Sequence, residues 1–521
     1  MTTLSIIDDQ PEIERKTGLH PVVRDVLISG VTSIVVSCAA LLVVSLVGRL
    51  GNPEAVAEYL LVRRVSAWIL SGVLLGISMA LPRYVAHAVN RPGLQKSYFW
   101  AALGLGMAAT SAVALVIDLN SSGFARLLFG DRDFKALIVP LSLLLLANGL
   151  HATVFGFYRG RLQMERANAL QFFNFAVFPL VTVAVLWMQG SVASMFLLLS
   201  LLILGFTALM AIPIFQERAE AQVSWRKISS ELLRYGTARI PGDLALGALF
   251  TVAPVVASHY VLLPKLAPLL LGLGILSVLG TGANPLNQVL LSKVTMMLAE
   301  GRVQQARTYI DHLLAASVEI SLLICVQAVV FADVAIRIWV GPKYLSEMLL
   351  IRILLAAVPF YLLHTALRCL IDAASVTAYN TRNILITCAV FMLVMFAEIR
   401  IVPPAWLLDS IAAAFLLVLG ILAWLTVRSL RRLYDVRFSW SRSVPSFAFA
   451  GLLGIASFGF RRAEHFHTTG LEFITVQVMA SLLFLAFLSW RKSTWLAFLR
   501  EAFLQRQSSP ITDDLAVLKS A

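Results

Sequence analysis

Apolar residues fill this chain in blocks of about 20 or more, separated by short polar segments. Blocks of that length cross the roughly 30 Å hydrocarbon core of a bilayer as helices, whereas a membrane barrel would show alternating strands of about ten residues. The pattern predicts fourteen spans: 26–48, 59–86, 97–118, 136–158, 168–188, 191–214, 240–262, 266–292, 308–332, 348–371, 381–398, 405–427, 444–460 and 472–490. The fifth and sixth are separated only by Gln189-Gly190. The expected fold class is all-α, a polytopic integral membrane protein.

Composition sharpens this picture. Of 521 residues, 59% are hydrophobic and 14% charged, with mean hydropathy +0.83. Soluble domains carry roughly 25% charged residues, so a single soluble core is excluded. The net charge of +13 reads as membrane orientation and attraction to anionic lipid, not as nucleic-acid binding. Lysine and arginine number 29 on the side of the N-terminus, 11 on the other side, and two within a span, out of 42. The positive-inside rule therefore places both termini in the cytoplasm, with residues 1–24 as a short polar tail. Cys38, Cys325, Cys369 and Cys388 lie in or beside apolar runs without a CxxC pair, so neither a disulfide nor a metal is expected.

Two polar segments interrupt the spans. Residues 216–239 contain Trp225, Ile228, Leu232 and Leu233 at near-helical spacing, with Gly236 as a stop, and predict an interfacial helix tying two halves together. Residues 491–521 begin with a second amphipathic stretch. An offset of about 210 aligns Arg83 with Lys293, Arg159 with Arg368, and Asn168 with Asn380. Two six-helix lobes are expected, over 25–215 and 240–430, repeated in parallel about an axis along the membrane normal, with two extra C-terminal helices over 431–490.

The chain carries no nucleotide-binding or catalytic constellation, so neither an enzyme nor an ATPase is expected, and no cofactor. The histidines are scattered: His87 and His151 near membrane ends, His259 and His364 in spans. What remains are charges and amides within spans, which are costly in lipid and mark function by default. Arg63 and Arg64 lie in the second span and are expected at its outer end. Snorkelling to the headgroups is one account of them. Adjacent helical residues point about 100° apart, so both cannot easily take the same exit, and a cationic cavity wall holding an anionic headgroup is the other account. Asp243 follows Arg239 by four residues, and Asp372 follows Arg368 by four. Each is either an interfacial ion pair or an acid coupled to protons or cations. Gly280-Thr-Gly-Ala-Asn-Pro285, continuing to Asn287 and Gln288, predicts a kinked eighth span with Asn284, Asn287 and Gln288 facing a polar cavity.

ALPRYVA at 80–86, YRGRLQMERANALQ at 158–171, RIPGDLALG at 239–247, IWVGPKY at 338–344 and LRCLIDAASVTAYNTRN at 367–383 together resemble polysaccharide-export flippases. These are the Wzx-type members of the multidrug/oligosaccharidyl-lipid/polysaccharide exporter superfamily. The resemblance covers about residues 25–430. It implies two lobes around a central cavity, alternating access, and an undecaprenyl-diphosphate-linked oligosaccharide as substrate in the bacterial inner membrane. It also implies polymerase and co-polymerase proteins as partners beside membrane lipids, and Arg63, Arg64, Arg239 and Arg368 as residues engaging the diphosphate. Competing expectations are a multidrug antiporter of the same fold, disfavoured by a first span without acids, and a lipid II flippase. A membrane polymerase or ligase is disfavoured because the longest outer loop, about 119–135, is short.

Overall fold

The computed structural model describes residues 21–217, 224–237, 240–282, 300–374, 378–435, 440–463 and 470–491, with scattered positions between 290 and 298. Among these, all regular structure is helical. The first half comprises α1 (Pro21–Leu50), α2 (Pro53–Val73), α3 (Ile77–His87), α4 (Pro92–Leu119), α5 (Ser121–Phe129), α6 (Ile138–Gly160), α7 (Met164–Trp187) and α8 (Val192–Gln216). A linker helix α9 (Trp225–Thr237) precedes α10 (Ile240–Ala257), α11 (Leu263–Gly282), α12 (Val303–Val330), α13 (Ala332–Trp339), α14 (Met348–Ala356), α15 (Val358–Ala374), α16 (Tyr379–Ile401) and α17 (Leu407–Tyr434). Two last helices, α18 (Trp440–Ala463) and α19 (Gly470–Trp490), pack on α12. Among the described residues, thirteen helices are long and apolar enough to cross a membrane, and the bent pair α2–α3, taken as one span, makes a fourteenth. Each expected span finds its helix, and the chain is a multi-pass membrane protein.

The two halves pack alike. In each, the third and fourth spans pair, the fourth and sixth pair, and the first lies against the fifth. The repeat extends into the loops. In the first half, α5 is followed by Gly130 at positive φ and a 3₁₀ turn, Arg132–Leu137; in the second, α13 is followed by Gly341 at positive φ and a 3₁₀ turn, Pro342–Glu347. Asn168 and Asn380 both sit near the start of the fifth span of their lobe, bonding Ser29 Oγ (3.2 Å) and Arg368 O (2.8 Å) respectively. Lys293, the expected partner of Arg83, lies outside the described residues.

The lobes meet at one end. A single apolar core joins α1 and α2 to α10, α11 and α14, with Val47, Leu61, Leu249, Leu270 and Leu354 among its members. Toward the linker, each lobe has its own core, around Phe157 and Leu170 in the N-lobe and around Ile310 and Leu370 in the C-lobe. At the joined end, two equivalent contacts bridge the lobes. His259 Nε2 meets Leu127 O at 3.1 Å, and Arg49 donates to Ile338 O. These pairs are offset by 211 and 210 residues. Ser45 also donates to Trp339 O, and Trp339 Nε1 donates to Leu41 O at 2.7 Å. His259 was expected within a span; it sits in the turn after α10, which ends at Ala257.

α2 and α3 meet at a 52° bend. Leu75 and Gly76 both adopt positive φ there (51° and 71°), a conformation glycine reaches without a Cβ clash. The bend receives the linker helix. A Cβ on Gly76 would lie 2.4 Å from Gly236 Cα, so both backbones need glycine to approach. Ile228 and Leu232 of α9 are buried against the N-lobe, Tyr98 Oη donates to Glu231 (2.6 Å), and Arg83 lies over the Tyr235 ring (4.6 Å). The amphipathic stretch expected after Trp490 lies outside the described residues.

Candidate functional site

α2 carries the site because it packs along both α10 and α11 of the opposite lobe. Asn52 caps its N-terminus, accepting from Ala55 N (2.8 Å), and Pro53 opens its first turn. Arg63 and Arg64 are thus ten and eleven residues beyond Pro53, about 15 Å along the axis at 1.5 Å per residue. They lie midway along α2, and nearer the start than the end of the bent span Pro53–His87. Glu54 and Glu58 had disguised the first turns as loop, because an apolar run is read only from where the polar residues stop.

Arg64 turns into the lobe interface. Its guanidinium donates to Phe250 O and Leu270 O, both at 3.4 Å. Phe250 O is free for this because Pro254, four residues on, has no N–H to give it. Nε of Arg64 is buried without a hydrogen-bond partner among the described residues. Gly274 leaves the room: a Cβ there would meet only Arg64 Nη2, at 4.0 Å. Trp68 Nε1 donates across the same interface to Leu244 O (3.2 Å). Arg63 donates to Tyr59 Oη (3.3 Å), with its guanidinium 5.6 Å from that ring's centre.

Between the lobes lies a cavity of about 400 Å³. α1, α2, α10 and α11 all contribute walls, Arg63 and Arg64 provide the charge, and Ser71, Thr251 and Ser277 add hydroxyls. Its lining among the described residues holds no carboxylate. Such a wall offers guanidinium donors to a doubly charged anion and repels an organic cation.

The other expected residues do not join it. Asp243, Arg368 and Asp372 are absent from the cavity lining. Asp372 accepts from Asn380 Nδ2 (2.8 Å), a bond between the end of the fourth span and the start of the fifth in the C-lobe. Arg239, Asn284, Asn287 and Gln288 lie outside the described residues, although the glycines Gly280 and Gly282 close α11 just before the amides.

Buried polar clusters inside each lobe escaped sequence reasoning. His151, expected near a membrane end, lies mid-helix in α6. Asn174 Nδ2 donates to its Nδ1 (2.8 Å) and to Thr207 Oγ1 (2.9 Å). Asn174 is placed by a π turn, Phe173–Val177, which leads into Pro179. A wider turn absorbs the missing proline N–H and rotates the preceding side chains inward. The available signal was the offset: His364 and Asn383 answer His151 and Asn174 at 213 and 209 residues.

No protein-family model matches the chain, and no curated protein matches it in sequence. Solved structures do match its fold. Lipid II flippase MurJ, in an inward closed conformation, superposes with a TM-score of 0.70 at 12% identity, over 88% of this chain and 98% of that one. An inward-facing multidrug resistance MATE family transporter of the MOP superfamily gives 0.62 at 13% identity, over 79% and 98%. The MATE transporter VcmN of Vibrio cholerae gives 0.55 at 13%, over 80% and 98%. The chain has the fold shared by this flippase and these transporters.

Proposed function

We propose that the protein flips lipid-diphosphate-linked oligosaccharides across the membrane by alternating access between its lobes. The observation carrying this reading is the Arg63–Arg64 pair, midway along α2 at the lobe interface, in a cavity without a carboxylate in its described lining. A sugar headgroup is too polar to cross about 30 Å of hydrocarbon unaided. A guanidinium wall answers its diphosphate, and the lipid tail stays outside. In this reading the termini are cytoplasmic, the joined end of the lobes faces the periplasm, and the membrane is the bacterial inner membrane. It takes residues 25–215 and 240–430 as the two lobes, Asp243 and Asp372 as the acids open to ion coupling, and Arg368 as contacting substrate only in another state.

The fold match to a lipid II flippase supports a second reading with the same anionic chemistry, lipid II as cargo. The protein reconstituted into liposomes tests both against multidrug export. Translocation of a fluorescent undecaprenyl-diphosphate oligosaccharide, without ethidium transport, is the expected result. Translocation of lipid II alone selects the second reading, and ion-driven ethidium transport alone contradicts both.

A further inference from the structure

A second cavity, of about 330 Å³, opens inside the N-lobe between α2, α6, α7 and α8. It shares Ala40, Arg63 and Ala67 with the inter-lobe cavity, so Arg63 stands at the junction. Its volume is at the low end of the roughly 300–1,000 Å³ of small-molecule sites, enough for one ring and not for a chain of them.

The walls are of two kinds. Tyr59, Phe175 and Phe196 form an aromatic side, with Tyr59 and Phe196 stacked at 5.4 Å. Ser66, Asn148, His151 and Asn174 form a polar side. Three of its oxygens, Ser66 Oγ, Asn148 Oδ1 and Asn174 Oδ1, are buried without a hydrogen-bond partner among the described residues, and Ser66 and Asn174 are 1% and 0% exposed. Buried acceptors left unmade are costly, so the cavity is built for a ligand that brings donors. A cation would bring charge, but the described lining has no carboxylate to receive it and Arg63 already stands at the mouth. Lipid chains bring no donors. A neutral, hydroxyl-bearing ring fits both walls: its O–H groups donate to the amide and serine oxygens, and its C–H face lies on the aromatics.

We propose that this cavity is a sugar subsite, holding the monosaccharide bonded directly to the diphosphate. It rests on the reading of the arginine pair as a diphosphate site. A phosphate at Arg63 puts its attached sugar at the cavity mouth, so the arginines read the charge common to all such lipids and the N-lobe cavity reads which sugar comes first.

The test is equilibrium binding to the full-length protein in nanodiscs. The probes are undecaprenyl diphosphate and its glucosyl, galactosyl and N-acetylglucosaminyl derivatives. Wild type is expected to bind at least one glycosylated probe about tenfold more tightly than the bare diphosphate, the scale of one or two buried hydrogen bonds. Ser66→Ala, Asn148→Ala and Asn174→Leu should bring that ratio toward one, whereas Arg63→Ala with Arg64→Ala weakens all probes together. Ser66→Ala removes a single oxygen, and so keeps the test valid if Asn174→Leu fails to fold. Equal wild-type affinity for bare and glycosylated probes makes the cavity a water pocket, which overturns the subsite and leaves the arginine site standing. A tenfold ratio retained in all three variants also overturns it. Wild type binding none of the probes removes the diphosphate reading, and the subsite with it.

Discussion

His151 in the N-lobe and His364 in the C-lobe occupy equivalent places, yet their rings are held the opposite way round. His151 Nδ1 accepts from Asn174 Nδ2, which leaves the proton of the neutral ring on Nε2. Thr426 Oγ1 donates to Leu422 O, so it accepts from His364 Nδ1 (2.9 Å), which therefore carries the proton. The asparagines diverge too. Asn174 ties the fourth to the sixth span, whereas Asn383 Nδ2 bonds Leu425 O and Ser429 Oγ on the sixth span alone. His151 lines a cavity, and His364 is fully enclosed. The second spans differ most. Arg63 and Arg64 of α2 correspond to Leu273 and Gly274 of α11. Near the lobe interface, one copy supplies the guanidinium and the other supplies the space that admits it. In the proposed reading, a duplicated scaffold gives the transport motion two similar halves while reserving binding chemistry for one of them.

The largest effect tests the shared part. With Cys38, Cys325, Cys369 and Cys388 replaced, cysteines at Gly48 and Val340 should cross-link, because a Cβ on Gly48 lies 3.0 Å from Val340 Cβ, within a small adjustment of disulfide geometry. Locking this one contact is expected to stop transport in liposomes, with recovery on reduction; full activity in the cross-linked protein would show that the joined end need not open.

The next effects separate the lobes. Gly76→Ala forces a left-handed alanine against the linker backbone and should cost at least about 1–2 kcal/mol, read as a lowered unfolding temperature in detergent. Thr426→Val removes the acceptor of a buried histidine N–H in the C-lobe and should cost about 1–3 kcal/mol. Discrimination among lipid-linked sugars should survive it. Changed discrimination would mean that the C-lobe also reads the headgroup.

The smallest effect lies at the linker end of the N-lobe. Arg161 grips Glu217 with two bonds of 2.6 Å, and this hydrogen bonding holds the Glu217 carboxyl below its ordinary 4.5 against an opposing push from burial. A lowered folded-state value stabilises the fold above the ordinary pKa and stops doing so as pH falls through the lowered one. Glu217→Gln should therefore cost about 0.2–1 kcal/mol at pH 7, with the difference from wild type vanishing in acid. A constant difference across pH would assign the loss to packing.

Hydropathy made all fourteen spans legible, because a bilayer demands long apolar runs whatever the tertiary packing. The arginine pair was legible because charge inside such a run is rare. Its place halfway along α2 was not, since Asn52, Pro53, Glu54 and Glu58 look like loop until the cap is seen. The polar N-lobe cavity was hidden for a different reason. His151, Asn174 and Ser66 come from three helices, and only a π turn before Pro179 brings Asn174 round to the others. The joined-end contacts were written in the chain as the Gly130–Gly341 offset, but backbone carbonyls accept there, and they leave no mark on side-chain identity.

The proposed transport depends most on Arg63 and Arg64 as an anion site. Affinity for undecaprenyl diphosphate should be measured in nanodiscs for wild type, the double alanine variant and the double lysine variant. Loss of about tenfold or more in the alanine variant is predicted, with partial recovery in the lysine variant, since lysine keeps the charge and lacks the fork. Equal affinity in wild type and the alanine variant would contradict an anion site at Arg63 and Arg64.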